Sequence, residues 1–381
     1  MSNAFSDSAM MARALRLAEL GTYTTMPNPR VGCVLVKDGK VIAEGWHRKA
    51  GEGHAEVNAL AAAGDRAKGA TAYVTLEPCS HTGKTGPCSD ALIAAGVSTV
   101  VYGMEDPNPA VAGRGLGKLR AAGIEVRGPV LETSAWALNP GFIKRMEKGL
   151  PYVRCKLAMS LDGRTAMASG ESKWVTARRA REDVQRLRAR SCAIVSGIDS
   201  VLSDDSSLTV REEELVFEDA TLDPGAVVEK QPLRVILDSS LRLPRTGSLL
   251  KTPGPVLLVH AGADVDANVT QHGDWPAQVE LLSLPDADGR IDLLQLLQEL
   301  ARRQCNEVLV ETGAVLAGSF LRRGLLDEMV VYMAPKLLGS KARPLFELPL
   351  DTMAAQLPLT ITEITAVGSD WRITAKPDPE G

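Results

Sequence analysis

Along the first 130 residues of this chain, apolar positions switch repeatedly between helical and strand-like spacing. Ser8 to Leu20 carries apolar residues three and four apart and stops at Gly21, the pattern of a surface helix. Val31 to Val36 and Val41 to Trp46 are apolar-rich runs on either side of Asp38-Gly39. That pair predicts a tight hairpin, because both residues tolerate positive φ. The Ala-rich stretch His54 to Ala67 predicts a helix, and Ala70 to Leu76 a strand. Pro87 to Ala95 predicts a short helix ending at Gly96, Ser98 to Tyr102 a strand, and Leu116 to Ala122 a helix closing at Gly123. This alternation predicts an α/β sandwich.

Glu132 to Lys148 reads as one helix stopped by Gly149 and Pro151, which places a domain boundary there and divides the chain into 1–148 and 149–381. A second α/β pattern follows. Strands are predicted at Tyr152 to Met159, Ala193 to Ser196, Arg234 to Asp238, Val256 to His260, Glu307 to Glu311 and Met329 to Met333. Helices are predicted at Ala177 to Ala189, Leu293 to Arg303 and Val315 to Arg322. Arg211 to Lys230, with seven acids against two bases, predicts an exposed loop or insertion. The Pro-rich end, Lys376 to Gly381, predicts a frayed tail.

Composition narrows the function. With 381 residues the chain is long enough for two or three domains. Its 43 basic and 47 acidic side chains leave a net charge of −4, without the basic field of a nucleic-acid or membrane-surface binder. No apolar run approaches the roughly 18–20 residues that cross a bilayer, and the N-terminus lacks the layout of a signal peptide. A cytoplasmic protein is expected, in which the six cysteines are thiols or metal ligands.

Four residues in the first half form a chemical set. His54-Ala55-Glu56 opens a predicted helix, Pro78-Cys79 follows a predicted strand, and Cys88 opens the next helix. One His and two Cys supply three zinc ligands and leave the fourth position of a tetrahedral site open, the catalytic kind of zinc site. Glu56 is not needed as a ligand and is placed to shuttle protons. This is the order of residues in zinc-dependent base deaminases, His-x-Glu followed by Pro-Cys and a second Cys. Alone, a His at a helix start or a buried Cys is usually structural, so the conjunction carries the reading. Eight residues separate Cys79 from Cys88 where base deaminases commonly have two, and that polar loop offers Lys84 to an anionic group. Lys84 in isolation reads equally well as a solvated surface lysine.

The second half is less explicit. No G-x-G-x-x-G follows its strands, so a Rossmann fingerprint is absent. A predicted strand does lead through Glu311-Thr312-Gly313 into a helix, whose first amides suit a phosphate. Ser200, Asp204 and Arg211 are polar residues after an apolar strand, where open α/β sheets line their crevices.

The chain resembles the bifunctional riboflavin-biosynthesis enzymes, a pyrimidine deaminase fused to a pyrimidine reductase, from about residue 8 to residue 370. The motifs that carry the resemblance in the first half are Pro27-Asn28-Pro29-Arg30-Val31-Gly32-Cys33, Gly45-Trp46-His47, His54-Ala55-Glu56, and Glu77-Pro78-Cys79 through Cys88. Lys156-Leu157-Ala158-Met159-Ser160-Leu161-Asp162-Gly163 and Leu202-Ser203-Asp204-Asp205 carry it in the second. The long Cys spacing is normal in that family. The resemblance implies a cytidine-deaminase-like α/β/α domain followed by a dihydrofolate-reductase-like α/β domain. It implies zinc held by His54, Cys79 and Cys88, with Glu56 as the proton shuttle and Asn28, His47 and Lys84 lining the substrate pocket.

In the second domain the resemblance implies NADPH bound by Ala158, Trp174, Ser200, Asp204 and the segment Gly313, Ala314, Val315, Leu316, Ala317, Gly318 and Ser319. It further implies that Ser172, Arg188, Leu208, Arg211 and Glu311 hold the pyrimidine and its ribose phosphate. The family more often has Thr at Ser200 and a small residue at Thr312. The implied reactions are hydrolytic deamination of a diaminopyrimidinone ribosyl phosphate, then NADPH-dependent reduction of the ribosyl to a ribityl chain. Whether Asp204 or Glu311 protonates the opening sugar is left open at this stage. The expected partner is this small-molecule substrate, with no nucleic acid and no membrane, and a homo-oligomer is a reasonable expectation. An RNA-base deaminase with a binding module is the alternative, disfavoured by the acidic charge and only 15 aromatic residues. A ligand sensor on a disused enzyme scaffold is the other, disfavoured because every member of the zinc set is present.

Overall fold

In the computed structural model, which describes residues 6–80, 86–109, 111–262 and 274–378, the first elements are α1 (Asp7–Glu19), β1 (Gly32–Lys37), β2 (Lys40–Trp46) and α2 (Ala55–Ala63). Ser6 caps α1 by accepting from the Ala9 N–H at 3.2 Å. Met10, Met11, Ala14, Leu15 and Ala18 form its buried stripe. The β1–β2 hairpin turns at Asp38 and Gly39, both at positive φ. Two glycines on this hairpin set the layers. Cys33 pairs with Gly45, so Gly32 and Gly45 face opposite sides of the sheet. A Cβ on Gly32 would lie 2.0 Å from the Ala14 carbonyl oxygen, and one on Gly45 would lie 2.5 Å from that of Ala55. Helix α1 therefore seats on one face and α2 on the other, each touching the sheet backbone directly.

The unit continues with β3 (Thr71–Val74), α3 (Cys88–Ala94), β4 (Thr99–Tyr102), α4 (Arg114–Ala121), β5 (Glu125–Arg127), α5 (Glu132–Leu138) and α6 (Pro140–Lys148). Its strands run in the order β2-β1-β3-β4-β5, with the β1 pairings antiparallel and the β3–β4–β5 pairings parallel. One correction concerns the end of this unit. The single helix expected over Glu132 to Lys148 is two helices, because Pro140 has no N–H to continue the first. The break frees Asn139, whose side chain accepts from the Arg30 N–H at 2.8 Å and donates to the Arg30 carbonyl at 2.9 Å. It thus anchors the segment after Asn28-Pro29.

By Cα proximity the chain divides into Met1–Leu150 and Pro151–Gly381. The second unit contains β6 (Tyr152–Ser160), β7 (Arg164–Ala166), α7 (Arg178–Ala189), β8 (Ala193–Gly197), α8 (Ile198–Asp204), α9 (Pro224–Val228), β9 (Leu233–Leu237), α10 (Ser248–Lys251), β10 (Val256–His260) and β11 (Val279–Ser283). It ends with α11 (Leu293–Arg302), β12 (Glu307–Glu311), α12 (Ala314–Arg322), β13 (Glu328–Ala334), β14 (Arg343–Pro344), β15 (Leu359–Val367) and β16 (Asp370–Pro377). Nine strands form one sheet in the order β11-β10-β9-β8-β12-β6-β13-β16-β15. Pairings are parallel from β11 through β13 and antiparallel at β13–β16–β15. The central parallel strands are apolar and buried on both faces, as such strands must be.

Ser200 and Asp204 follow the apolar strand β8, as expected, and lie on the short helix α8. The acidic stretch at 211–230 is largely exposed, as expected, and is anchored near both ends: Leu215 and Val227 are buried, and Glu214 accepts from Arg211 and Gln185. One further expectation is revised here. Lys376 and Pro377 belong to β16, which pairs to the end with β15, so the described part of the C-terminus is a strand and not a frayed tail. Strands β11, β15 and β16 had no expectation, because their alternating polar residues lack a continuous apolar run. Among the described residues, no helix is long and apolar enough to cross a membrane.

Candidate active sites in the two units

In the first unit, two helix starts and one strand exit converge. His54 is the N-cap of α2, Cys88 the first residue of α3, and Cys79 lies beyond the end of β3. His54 Nδ1 lies 3.2 Å from Cys88 Sγ and 3.7 Å from Cys79 Sγ, and all three ligand atoms lie within 4.8 Å of one another. Tetrahedral zinc, with bonds of about 2.3 Å to sulfur and 2.0 Å to nitrogen, needs neighbouring ligands roughly 3.5–3.8 Å apart. The set fits zinc. The Cys88 N–H donates to Cys79 Sγ at 3.3 Å. Hydrogen bonds from Cys88 and His54 pull the Cys79 thiol far below its ordinary range, to about 4, while the shared proton holds Cys88 well above its own.

Glu56 stands in the first turn of α2, 3% exposed. Burial, with negative charge at Cys79 adding to it, pushes its carboxyl up to about 7. It hydrogen-bonds the Cys88 thiol, which keeps it against the ligand set without joining it. The structure also brings Asn28 and His47 here. The His47 ring stacks edge-on to His54, with centroids 5.3 Å apart. His47 Nδ1 lies 3.1 Å from the Gly53 carbonyl and its Nε2 3.1 Å from Asn28 Nδ2. A carbonyl on one side and an amide donor on the other require the neutral tautomer with the proton on Nδ1. Burial lowers the His47 pKa in the same direction. Lys84 lies outside the described residues.

Glu77, which the motif reading used only as a signature, has a clear structural task. Its buried carboxylate accepts from the N–H groups of Asp106 at 3.2 Å, Gly113 at 2.9 Å, Gly115 at 2.9 Å and Leu116 at 3.3 Å. It thereby caps α4 and ties the 105–116 segment to Pro78-Cys79. Gly115 sits so close that a Cβ would lie 1.9 Å from the Pro78 carbonyl oxygen. The sequence signal was an acid directly before Pro-Cys, but its four donors lie about 30–40 residues away and carry no side-chain signature.

In the second unit the parallel strands β8, β12 and β6 end on one edge, where an open sheet forms its crevice. Glu311 and Lys156 are cross-strand partners there. Arg188, in the last turn of α7, donates from Nε to Glu311 Oε1 at 2.6 Å and from Nη2 to Oε2 at 2.9 Å, and from Nη1 to the Thr209 carbonyl at 2.9 Å. Burial would raise the Glu311 carboxyl, but Arg188, Lys156 and Arg211 outweigh it and hold it below its ordinary range. Burial lowers Lys156 against the pull of Glu311. Lys156 was visible only as the first letter of a motif.

Around this cluster, Ser200 Oγ accepts from the Gly313 N–H at 3.1 Å, joining α8 to the N-cap of α12. That amide is engaged, which leaves the next first-turn amides, Ala314 to Leu316, facing out of the helix start. Ala317 and Gly318 lie on the packed side, and Ser319 bonds back to the Val315 carbonyl. Ser172 Oγ donates to Asp204 Oδ1 at 3.4 Å, and Lys173 Nζ donates to the Asp204 carbonyl at 3.1 Å. Trp174 is 62% exposed, with the Arg181 guanidinium 4.4 Å over its ring. Ala158 is half-buried on β6, and Leu208 is buried in the core with its main chain at φ 53°. Arg211 bonds Glu214 and keeps 38% of its side chain exposed.

Comparison with known proteins adds independent findings. Residues 151–373 match the family described as RibD C-terminal domain, and residues 5–104 match the cytidine and deoxycytidylate deaminase zinc-binding region. The riboflavin biosynthesis protein RibD of Escherichia coli is 51% identical over 365 residues, covering 96% of this chain and 97% of its own. A solved RibD of Acinetobacter baumannii superposes with a TM-score of 0.87 at 46% identity, over 98% of this chain and 99% of its own. A solved diaminohydroxyphosphoribosylaminopyrimidine deaminase/5-amino-6-(5-phosphoribosylamino)uracil reductase from Thermotoga maritima has a TM-score of 0.83 at 33% identity, over 98% and 99% of the two chains.

Proposed function

This chain belongs to the RibD family of riboflavin-biosynthesis proteins, and on that premise we propose which of its residues carry each of the family's two reactions. It is an enzyme with a deaminase and a reductase activity, acting on a small pyrimidine substrate. The substrate of the first step is 2,5-diamino-6-(5-phosphoribosylamino)pyrimidin-4-one, and the second step reduces the ribosyl chain of its product. The chemistry divides between 1–148 and 149–381, a boundary supported by the break between Leu150 and Pro151. The observation that carries the reading is the His54, Cys79 and Cys88 set with Glu56 buried against it.

Zinc, when bound, supplies a Lewis acid that makes water nucleophilic near neutral pH, and NADPH supplies the reducing electrons. His54 Nδ1 and the sulfurs of Cys79 and Cys88 would hold the metal. Glu56 takes a proton from the attacking water and delivers it to the departing amine. Its burial suits both roles, because its carboxyl changes charge near pH 7. His47 commits Asn28 Nδ2, so Asn28 Oδ1 accepts from the pyrimidine. Lys84 meets the ribose phosphate.

In the reductase, Ser200 and Asp204 on α8, Ala158, Trp174 and the segment Gly313 to Ser319 would hold the dinucleotide. The amides of Ala314, Val315 and Leu316 would receive its phosphates. Ser172, Leu208, Arg211, Arg188 and Glu311 hold the substrate. Arg188 spends its donors on Glu311 and Thr209, so it orders Glu311, while the exposed guanidinium of Arg211 is the better phosphate ligand. Lys156 donates the proton to the opening sugar, with Glu311 as its cross-strand neighbour attracting its charge.

The test is mass spectrometry of products after incubating the diaminopyrimidinone ribosyl phosphate with zinc-loaded enzyme and NADPH. Exchange of an amino for an oxo group together with gain of two hydrogens is expected. Exchange without hydrogen gain removes the reductase assignment, and no change with zinc bound removes both. Self-association belongs to the same reading. Strand β15 is a sheet edge whose Leu359, Ile361 and Ile364 are each about half exposed, a surface that folded proteins usually cover. Light scattering that gives the monomer mass at micromolar concentration would refute that part.

A further inference from the structure

Two thiols of the second unit lie at the opposite end of its parallel strands from the reductase crevice. Cys192 immediately precedes β8 and Cys305 lies two residues before β12, and these strands are parallel neighbours with Ala193 paired to Val308. Main-chain geometry clamps the two starts together. The Cys192 N–H donates to the Glu307 carbonyl at 2.8 Å, and the Asn306 N–H donates to Cys192 Sγ at 3.2 Å. The second bond brings the Cys192 sulfur onto the residue beside Cys305, near enough for each thiol to shift the other.

Their surroundings differ. Cys305 is 5% exposed, whereas Cys192 is only half-buried. The Cys305 thiol, with the main-chain donors around it, pulls Cys192 down to about 7 against the effect of burial and of Glu307. Cys192 and burial push Cys305 up, with Arg303 and Lys230 opposing. A metal site is not the better reading. Among the described residues, His54, Cys79 and Cys88 form the one cluster of three or more possible ligands.

We propose that Cys192 and Cys305 form an oxidisable dithiol, a site of reversible disulfide formation driven by hydroperoxides. The Cys192 thiolate attacks the peroxide, forming an S–O bond as the O–O bond breaks, and the departing hydroxide takes a proton to leave as water. The Cys305 sulfur then attacks Cys192 sulfur, forming the S–S bond as the S–O bond breaks. The second hydroxide leaves as water with the Cys305 proton. Two thiols are oxidised by two electrons in total, and one peroxide is reduced to two waters. Proximity of the two sulfurs, set by the neighbouring strand starts, makes the second step faster than further oxidation of Cys192. The bond would staple the starts of the two strands whose far ends carry Ser200 and Glu311.

The experiment exposes the zinc-loaded full chain to hydrogen peroxide, alkylates it under denaturing conditions and digests it with trypsin. Cys192 and Cys305 fall on separate peptides, Ser191–Arg211 and Gln304–Arg322, each with one cysteine. The expected result is one linked pair, lighter than the two free peptides by two hydrogens and separated again by dithiothreitol. Cys192→Ser should abolish the link, and Cys305→Ala should leave Cys192 as a sulfenic acid that dimedone labels. Recovery of both peptides as alkylated thiols, or linkage of either to another cysteine, overturns the proposal. Because the readout is positional, oxidation at Cys79 or Cys88 does not affect it, and neither does the assignment of the catalytic residues.

Discussion

Glu56 sits two residues from His54, the proposed metal ligand, and is not itself assigned as one, and that difference is what its position on α2 provides. As the N-cap, His54 turns its ring toward the two sulfurs, while Glu56 in the first turn is carried to the buried side. Glu56→Gln keeps the volume and removes the titrating proton. We expect zinc content, read by elemental analysis, to be unchanged and the deamination rate to fall about 10²–10⁴-fold. A deamination rate within about threefold of the parent would end the proton-shuttle assignment. Arg188→Lys tests the other unit. A lysine cannot reproduce the two parallel donors that hold Glu311, and one lost charge-assisted bond is worth about 1.5–3 kcal/mol. Reductase kcat/KM should fall about 10–100-fold with deamination untouched, as measured by NADPH consumption on the deaminated substrate. The zinc set was legible from its residue types and order. Lys156 was not, because a lysine inside an apolar run announces neither its burial nor the acid beside it.

At the scale of elements, what matters is which segments are tied together. Glu77→Ala leaves four N–H groups of one segment without their acceptor, each a desolvated donor that costs about 1–3 kcal/mol if it stays buried. The expected outcome is a lower melting temperature of the first unit and weaker zinc retention against a chelator. An unchanged zinc off-rate would show that this segment does not hold Cys79. In the second unit, α7 is fastened to the sheet by Asp183. This carboxylate accepts from the Tyr332 hydroxyl at 2.6 Å and from Arg372 at 2.9 Å, and also pairs with Arg186. Burial alone would raise its pKa, but these partners outweigh it and hold it below the ordinary value.

A carboxyl depressed on folding stabilises the native state above its unfolded pKa, near about 3.9, and that contribution is lost as pH falls through the folded value. Asp183→Asn should therefore cost about 3 kcal/mol at pH 7. The gap from the parent should narrow as pH falls below about 3.9 and close once pH has dropped through the folded value, which urea titrations at pH 7 and along an acid series would show. A gap that stayed constant would exclude the charge as its cause. Most elements were legible here, since long apolar runs and Gly or Pro stops carry them. The break at Asn139-Pro140 was missed because helical periodicity continues through it, and α8 because a seven-residue helix is too short to show a period.

Over the whole molecule, the residues assigned to the first reaction fall between Asn28 and Cys88 and those assigned to the second between Lys156 and Ser319. Removal of zinc with a chelator should abolish deamination and leave NADPH-dependent reduction of the separately supplied deaminated intermediate within about twofold of its rate. Loss of both would show that the metal also supports the second unit. By itself the sequence determined the α/β class and the family, and it offered the proposed division near residue 149 and the proposed zinc ligands with their acid. These are written in short motifs and in runs whose meaning depends only on near neighbours. Tertiary structure decided the strand order β8-β12-β6 and the register that sets Glu311 beside Lys156. It also decided the four amides gathered on Glu77 and the meeting of Cys192 with Cys305. Buried parallel strands are nearly interchangeable apolar runs, so their order cannot be read from hydrophobicity. Which polar side chains meet across them is settled only when the helices between the strands have packed.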